Sequence, residues 1–209
     1  MIHAIIFDLD GVLCDLVQVH RKALDKALSE VCGYTIKEEE FWKYYNGIPS
    51  NVKLNMLVNR GILNPNDKEK VWKLKQENTV ESLNECLQYD TQKISVLRYL
   101  KTDGLDLVCV SNSIRKTIEI ALERTGQSEF MKFILGNEDF GEKPKPDPFC
   151  YKLAISKLLL TPKECLIVED SEKGISAARG SGANVLEVEN PEGVTLDNIY
   201  RMIKNANRK

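Results

Sequence analysis

Two aspartates near the N-terminus stand where an apolar run gives way to a glycine. The run AIIF at residues 4–7 leads directly into Asp8 and Asp10, and Gly11 follows. A continuous apolar run is typical of a parallel strand buried on both faces, and open α/β sheets place ligand sites at the carboxyl ends of such strands. Carboxylates held this close repel each other, a cost that a bound cation most often offsets. The segment therefore predicts an acidic, metal-dependent site.

Two further predicted strands end in polar residues, and a lysine-rich loop follows a third. Ser111 and Asn112 come directly after the run LDLVCV, and Glu169 and Asp170 come directly after CLIV. The loop GEKPKPDP contains Lys143. Because the carboxyl ends of parallel strands lie along one edge of a sheet, we expect carboxylates, a hydroxyl and a lysine to converge there.

This set of side chains suits the transfer of a phosphoryl group. Carboxylates are hard oxygen ligands, and Mg²⁺ is typically held by one or two of them together with substrate phosphate. One aspartate can attack phosphorus and a second can move the proton, while lysine and hydroxyl groups stabilise the transferring charge. Each element alone also has an ordinary role, as a turn former, a helix cap or a surface lysine. Their joint placement at successive strand ends favours the functional interpretation.

The second half of the chain alternates strands with helices. Strands are predicted over residues 105–110, 133–135, 165–168 and 184–188, and helices over 91–101, 114–124, 149–159 and 172–179. This order is typical of a parallel sheet with helices on its faces. The sequence therefore predicts an α/β fold with a Rossmann-like parallel-sheet core, to which residues 4–7 contribute the first strand.

Residues 16–87 differ, because their apolar residues recur at helical spacing and no strand is convincing. The connection from the first strand to the next is far longer than α/β proteins usually have. The economical explanation is a small helical domain inserted after the first strand, placed as a lid over the site. We predict an α/β catalytic core formed by residues 1–14 and 88–209, and an α-helical cap domain over residues 15–87.

The bulk composition limits the classes of function. The 209 residues carry a net charge of -2, which argues against non-specific nucleic-acid binding because that needs a basic surface. No apolar run approaches the roughly 20 residues that span a bilayer. None of the six cysteines forms a C-x-x-C pair, and no signal-peptide pattern is present, so we expect a cytoplasmic protein without disulfides. A monomer is the default expectation for such a lidded chain.

In order and spacing these motifs resemble those of the haloacid dehalogenase superfamily. The matching stretches are DLDGVL from Asp8, SNS from Ser111, KPKPDP from Lys143 and VEDSEKGISAA around Asp170. They span nearly the whole chain and look most like the branch that contains β-phosphoglucomutases and phosphoglycolate phosphatases. Members of that branch carry a small helical cap at the place predicted above.

The resemblance implies a role for each core residue. Asp8 would be the nucleophile and a Mg²⁺ ligand. Asp10 would be the general acid and base, and would also ligate Mg²⁺ through its backbone carbonyl. Ser111 and the amide of Asn112 would bind the phosphoryl group. Lys143, the first lysine of the K-P-x-P-D pattern, would stabilise the nucleophile and the phosphoryl charge.

The resemblance also completes the metal site. Asp170 would ligate Mg²⁺, and Glu169 would do so directly or through a water. Lys145 is the alternative to the first lysine of the loop. Superfamily members that dehalogenate or cleave phosphonates lack the acid at Asp10, so its presence favours phosphoester chemistry.

In the cap, the resemblance indicates Gly47, His20 and Lys75 as substrate-binding residues. Gly47 matches the glycine of the specificity loop, His20 matches a histidine near the hinge, and Lys75 matches a cap lysine. His20 also falls on the apolar stripe of its helix, and Lys75 also suits a solvated helix face, so both have structural alternatives. Ser50 stands where β-phosphoglucomutases carry an arginine that grips the second phosphate, which weakens the mutase interpretation.

We therefore predict a Mg²⁺-dependent phosphatase that hydrolyses a small phosphomonoester, such as a sugar phosphate, through an aspartyl-phosphate intermediate. The first alternative is a phosphosugar mutase, which needs a substitute cation in the cap, and Arg60 is the nearest arginine after the loop. The second alternative is a non-catalytic binding protein. The expected partner is a small phosphorylated molecule, with no nucleic acid and no membrane.

Overall fold

A five-stranded parallel sheet organises the larger part of the chain. The computed structural model describes residues 1–46 and 48–207. The strands are β1 (Ala4–Phe7), β2 (Asp106–Val110), β3 (Phe133–Leu135), β4 (Cys165–Glu169) and β5 (Asn184–Glu187). They pair in the order β3-β2-β1-β4-β5, and every pairing is parallel. The predicted α/β fold with a parallel-sheet core is confirmed.

Helices form the connections between these strands. They are α1 (Val17–Cys32), α2 (Glu38–Glu40), α3 (Ser50–Asn59), α4 (Lys68–Cys86), α5 (Thr91–Thr102), α6 (Arg115–Arg124), α7 (Asn137–Phe140), α8 (Phe149–Leu158), α9 (Glu172–Ser181) and α10 (Leu196–Ala206). Short 3-10 helices occupy Pro65–Asp67, Ser128–Phe130, Pro162–Glu164 and Pro191–Gly193, and a π-helical turn occupies Phe41–Tyr45. Among the described residues, none of these helices has the length and apolar character needed to cross a membrane.

The chain divides into two compact units. The sheet unit comprises Met1–Asp15 and Gln88–Lys209, and the helical unit comprises Leu16–Leu87. The division predicted from the sequence placed the first boundary after residue 14. That the helical unit acts as a cap stays a prediction.

Burial of apolar side chains on both faces of the sheet fixes the position of β1. All four of its residues are buried, and its Ala4 and Ile6 pack in one cluster with residues of β2, β4, α8 and α9. Full burial of a side chain such as Ile6 is worth about 1.5–3 kcal/mol. Because Phe7 pairs with both Cys109 and Val168, the residues that follow β1, β2 and β4 emerge at one edge. The sheet therefore delivers the ends of these three strands to one place.

The helical unit has an apolar core of its own. Leu24 and Leu28 of α1 pack with Leu54 and Leu57 of α3, and Phe41 and other residues complete the cluster. Helix α1 ends at Cys32 and is followed by Gly33, whose φ of 66° is the left-handed conformation that glycine adopts at helix C-termini. This core holds α1, α3 and α4 together as one small helical body.

Candidate active site

A buried lysine from the loop before α8 joins the ends of β1 and β4. The Nζ of Lys145 donates to Oδ1 of Asp8 at 2.5 Å, to Oε1 of Glu169 at 2.6 Å and to the carbonyl of Val110 at 2.9 Å. The lysine is 4% exposed, and its three donors are all used. Burial disfavours its charge, but attraction to Asp8 and Glu169 outweighs burial and raises the pKa of Lys145. Lys145 therefore remains a cation inside the site.

The sequence-based expectation put Lys143 in this position, and the structure corrects it. Lys143 is exposed, and its Nζ lies 5.0 Å from the centre of the Phe149 ring. Asn112 selects the other lysine, because its Oδ1 accepts from the amide of Lys145 at 3.0 Å and its Nδ2 donates to the carbonyl of Lys145 at 3.4 Å. The side chain of Asn112 thus holds the backbone of Lys145 at the end of β2, a role that the sequence did not reveal.

Asp8 follows β1 directly and lies almost out of contact with solvent. It is 7% exposed, and burial raises its pKa well above the ordinary value. Lys145 acts in the opposite direction, while the negative charges of Glu169 and Asp170 raise the pKa further. An additional cation at this place would favour the ionised form of Asp8 that a nucleophile needs.

Glu169 is the last residue of β4, and its carboxylate is fully hydrogen-bonded. Its Oε1 accepts from Lys145 and from the hydroxyl of Tyr151 at 2.5 Å. Its Oε2 accepts from the amides of Asp170 and Ser171 at 3.1 and 3.4 Å, and from the hydroxyl of Ser171 at 3.3 Å. Glu169 is therefore one of the groups that hold Lys145 in place, with Asp8, Val110 and Asn112.

Asp170 lies beside Glu169 but has a very different environment. Its Oδ1 is buried and accepts no hydrogen bond from the described residues. Burial, followed by repulsion from Glu169, raises the pKa of Asp170 to about 6. Gly11, with φ of 83°, lets the loop after β1 approach this carboxylate, since a Cβ at residue 11 would lie 2.1 Å from Oδ2 of Asp170.

The donor set fits a hard divalent cation. Asp8, Glu169 and Asp170 each offer a carboxylate oxygen, and these oxygens lie within 4.8 Å of one another. Three carboxylates face one lysine, and the buried Oδ1 of Asp170 has no donor among the described residues. Oxygen ligands of this kind are those that Mg²⁺ and Ca²⁺ prefer. The carboxylate of Asp10 is not part of this cluster, and its predicted contact through the backbone carbonyl stays a prediction.

Ser111 and Asp10 occupy the predicted edge of the sheet. Ser111 follows β2, is buried, and accepts from the amide of Ser113 through its Oγ at 3.1 Å. Asp10 is half-buried in the loop after β1, where it forms an isolated backbone bridge with Cys14. The structure therefore places Asp8, Asp10, Ser111 and Lys145 at the edge of the sheet where β1, β2 and β4 end.

The helical unit brings His20 and Lys75 together and adds Lys53. The Nζ of Lys75 lies 3.3 Å from Nδ1 of His20, and Lys75 is 6% exposed, so a solvated position is wrong for this lysine. Lys53 is 8% exposed. Burial lowers the pKa of His20, and the charges of Lys75 and Lys53 lower it further. Gly47 lies outside the described residues.

Sequence reasoning missed Lys53, although its spacing carried a signal. Lys53 stands four residues before Leu57 on α3, and both are buried, so the lysine lies on the apolar face of its helix. Arg60, considered as the substitute cation, is bound by Glu40 and by the hydroxyl of Tyr45. The basic cluster of the helical unit, defined as His20, Lys53 and Lys75, therefore does not include Arg60.

Comparisons with known proteins point to one family and one fold. A family model for haloacid dehalogenase-like hydrolases matches residues 2–182. A phosphoglycolate phosphatase from Vibrio vulnificus is 27% identical over 190 residues, which cover 87% of this chain and 81% of the relative. A phosphorylated carbohydrates phosphatase from Thermotoga maritima is 26% identical over 183 residues, covering 86% and 81%. The crystal structure of β-phosphoglucomutase from Clostridium difficile has a TM-score of 0.84 at 22% identity, with 100% of both chains covered, and shows the same fold.

Proposed function

Because the chain belongs to the haloacid dehalogenase-like hydrolase family, we propose that it is a Mg²⁺-dependent phosphatase that hydrolyses a small phosphomonoester, such as a sugar phosphate. The observation that carries the proposal is the contact of Lys145 with both Asp8 and Glu169, beside the Oδ1 of Asp170, for which the described residues supply no hydrogen bond. This arrangement combines a nucleophile, a fixed cation and room for a second cation. Phosphoryl transfer requires these three features, because its catalysis depends on positioning and on stabilising negative charge.

The residues have complementary roles in the proposed reaction. Asp8 attacks phosphorus and forms an aspartyl-phosphate, while the bond to the substrate oxygen breaks and Asp10 donates a proton to the leaving alcohol. Asp10, now ionised, takes a proton from water, which attacks phosphorus, releases phosphate and restores Asp8. Lys145 and the hydroxyl of Ser111 stabilise the oxygens of the transferring group.

Asp8 and Asp170 would hold the Mg²⁺ ion, with Glu169 within reach of it. When bound, the ion supplies positive charge against the carboxylates and the phosphate. Glu169 contributes mainly by fixing Lys145, since its oxygens already accept from neighbouring donors. The relatives named as phosphoglycolate phosphatase and phosphorylated carbohydrates phosphatase support a small phosphorylated substrate. We expect the enzyme to act as a cytoplasmic monomer.

The test is release of phosphate from a panel of small phosphomonoesters, measured with Mg²⁺ and with EDTA. Wild type is expected to release phosphate only with Mg²⁺. Lys145→Met is expected to lose much of this release. Lys143→Met is its matched control and is expected to keep the release, because this exposed lysine of the same loop does not contact Asp8. Absence of release from every ester in the panel contradicts the proposal.

A phosphosugar mutase is the second candidate, and Lys53 is the observation that favours it. A mutase needs a cation that holds the second phosphate of a bisphosphate intermediate, and Ser50 does not supply one. Lys53 lies one turn further along α3 and joins the basic cluster of the helical unit. Phosphorus NMR of a sugar phosphate separates the two activities, since a mutase moves the phosphate to a new carbon with little free phosphate released.

A further inference from the structure

A buried glutamine contacts the loop that follows β1. Gln127 is 0% exposed, and its Nε2 donates to the carbonyl of Leu13 at 3.1 Å and to the hydroxyl of Thr125 at 3.0 Å. The hydroxyl of Thr125 itself donates to the carbonyl of Ala121 at 2.7 Å, so its oxygen is left to accept from Gln127. The two amide hydrogens of Gln127 are therefore directed at Leu13 and Thr125, with the Sγ of Cys14 as a further, longer acceptor at 3.9 Å, and these contacts fix the orientation of the group.

The loop that Gln127 contacts carries Asp10. The amides of Leu13 and Cys14 both donate to the carbonyl of Leu9, at 2.9 and 3.0 Å. Asp10 forms an isolated backbone bridge with Cys14. These contacts close the loop on itself around Asp10, and Gln127 holds it from a position 114 residues away in the sequence.

The carbonyl oxygen of the Gln127 side chain indicates that this residue does more than fill space in the core. The Oε1 of Gln127 is buried and has no hydrogen-bond donor among the described residues. A buried carbonyl without a donor costs free energy, and an apolar side chain of the same shape would avoid that cost. The fold keeps the glutamine nevertheless, and what it gains is the pair of donated hydrogen bonds.

We infer that Gln127 is a positioning residue for Asp10, acting through the carbonyl of Leu13. The inference rests on the proposed function, in which Asp10 protonates the leaving alcohol. Without the hydrogen bond from Gln127, the loop is held by fewer contacts and the carboxyl of Asp10 is less well placed to deliver its proton. A displacement of a catalytic group by about 1 Å can reduce a rate on the order of 10²-fold.

The test compares substrates whose leaving groups need the proton to different extents. Gln127→Met keeps the length of the side chain and removes its hydrogen bonds. For an alkyl phosphate, kcat/KM is expected to fall about tenfold, since general acid catalysis contributes roughly 10²–10⁴-fold. For p-nitrophenyl phosphate, whose leaving phenolate needs little protonation, kcat/KM is expected to stay within about twofold. The ratio of the two losses identifies a defect in proton delivery.

Thr117→Val is the control, since it removes a different buried polar group from α6, a hydroxyl that has no hydrogen-bond partner among the described residues. It is expected to leave both substrates unaffected. If Gln127→Met does not fold, Thr125→Val removes the acceptor that orients the amide, together with the hydroxyl's own hydrogen bond to the carbonyl of Ala121, and a smaller loss with the same substrate dependence is expected. Equal losses with both substrates, or the same pattern in Thr117→Val, overturn the inference.

A second measurement separates this inference from the proposed function. Hydrogen exchange of the backbone amides of Leu13 and Cys14 is expected to become faster in Gln127→Met and to remain unchanged in Thr117→Val. If wild type hydrolyses neither ester, the proposed phosphatase fails, while the exchange rates still decide whether Gln127 holds the loop. Unchanged exchange in Gln127→Met overturns the inference, whatever the enzyme does.

Discussion

Lys145 in the sheet unit is buried and His20 in the helical unit is half-buried, yet their neighbours act on these two basic groups in opposite directions. Lys145 contacts Asp8 and Glu169, whose attraction outweighs burial and raises its pKa. His20 lies beside Lys75, and burial together with the charges of Lys75 and Lys53 lowers its pKa. In one unit the buried cation is neutralised by acids of the site, and in the other the nearby charges have the same sign.

The difference indicates what each unit is built to receive. In the sheet unit, three clustered carboxylates exceed one lysine, so the remaining charge is negative and a divalent cation would stabilise it. In the helical unit, two buried lysines act on one histidine, which favours an anionic ligand. The proposed function uses both signs, since it combines a metal ion with a phosphorylated substrate. The following changes test each side of the comparison.

Asp8→Asn is expected to have the largest effect. It removes the proposed nucleophile, so phosphate release should fall by a factor on the order of 10⁴ or more. Mass spectrometry of acid-quenched wild type with substrate should detect a phosphoryl adduct on Asp8 that is absent from the variant. Circular dichroism verifies that the fold is kept. Turnover by the variant near the wild-type rate would assign the chemistry to another group.

Lys145→Met is expected to have the next largest effect on activity, and it should also lower the stability of the fold. Removing the cation leaves Asp8 and Glu169 buried without their shared partner, which costs about 3–5 kcal/mol of unfolding free energy. The value of kcat should fall by about 10²–10³-fold, as for the loss of one group that stabilises the transferring charge. Denaturant unfolding and phosphate release measure the two effects.

Lys143→Met is the matched variant for this comparison. Its side chain is exposed, so the unfolding free energy should change by no more than about 0.5 kcal/mol and kcat should be unchanged. If Lys143→Met is the variant that loses activity, the assignment of the site lysine from the structure is wrong.

The contrast between these two lysines shows where sequence reasoning stops. The end of β1 was predictable because four buried residues in a row precede Asp8, and such a run is a local signal. The family predicted from the motifs is confirmed by the match over residues 2–182. The loop, however, contains two overlapping K-P-x-P patterns, one starting at each lysine. The choice depends on a tertiary contact with Asn112, which no local pattern encodes.

The helical unit shows the same limit for Lys53. In the sequence, a single lysine on an apolar helix face is only an irregularity of the pattern. Whether it has a function depends on which residues of α1 and α4 lie opposite it in the folded unit. Only the folded unit brings Lys53 and Lys75 close enough for both charges to act on His20. Charges that act across elements were therefore less predictable than the elements themselves.

Mg²⁺ should stabilise the sheet unit in a way that depends on Asp170. We expect Mg²⁺ to raise the melting temperature of wild type at pH 7 and to have a much smaller effect on Asp170→Asn. The pKa of Asp170 is raised from an ordinary 3.8 to about 6, so protons compete with the ion as the pH falls through 6. Melting curves with Mg²⁺ and with EDTA at pH 5 and pH 7 measure this dependence.

In the metal-free protein, the effect of Asp170 on stability should depend on pH in the opposite direction. A carboxyl whose folded pKa is raised destabilises the fold above that pKa, and this contribution is relieved as the pH falls through about 6. Asp170→Asn should remove that part of the pH dependence of stability in EDTA. A pH dependence identical to that of wild type would show that another carboxyl carries the proton.

Lys53→Met addresses the helical unit and is expected to have the smallest effect. For substrates that carry a second anionic group, KM should rise about tenfold, equivalent to about 1.4 kcal/mol, with little change in kcat. Substrates with a single anionic group should be unaffected. Lys43→Met is the control, because this exposed lysine lies near Tyr44 and does not act on His20.

The same variant has a readout that does not require turnover. Since Lys53 lowers the pKa of His20, its removal should raise that pKa toward the ordinary value. The chain contains two histidines, so NMR titration follows His20 directly with His3 as the internal reference. A higher pKa together with an unchanged KM would mean that Lys53 acts on His20 without contacting substrate, and would leave Lys75 as the remaining candidate of the basic cluster for binding an anionic group.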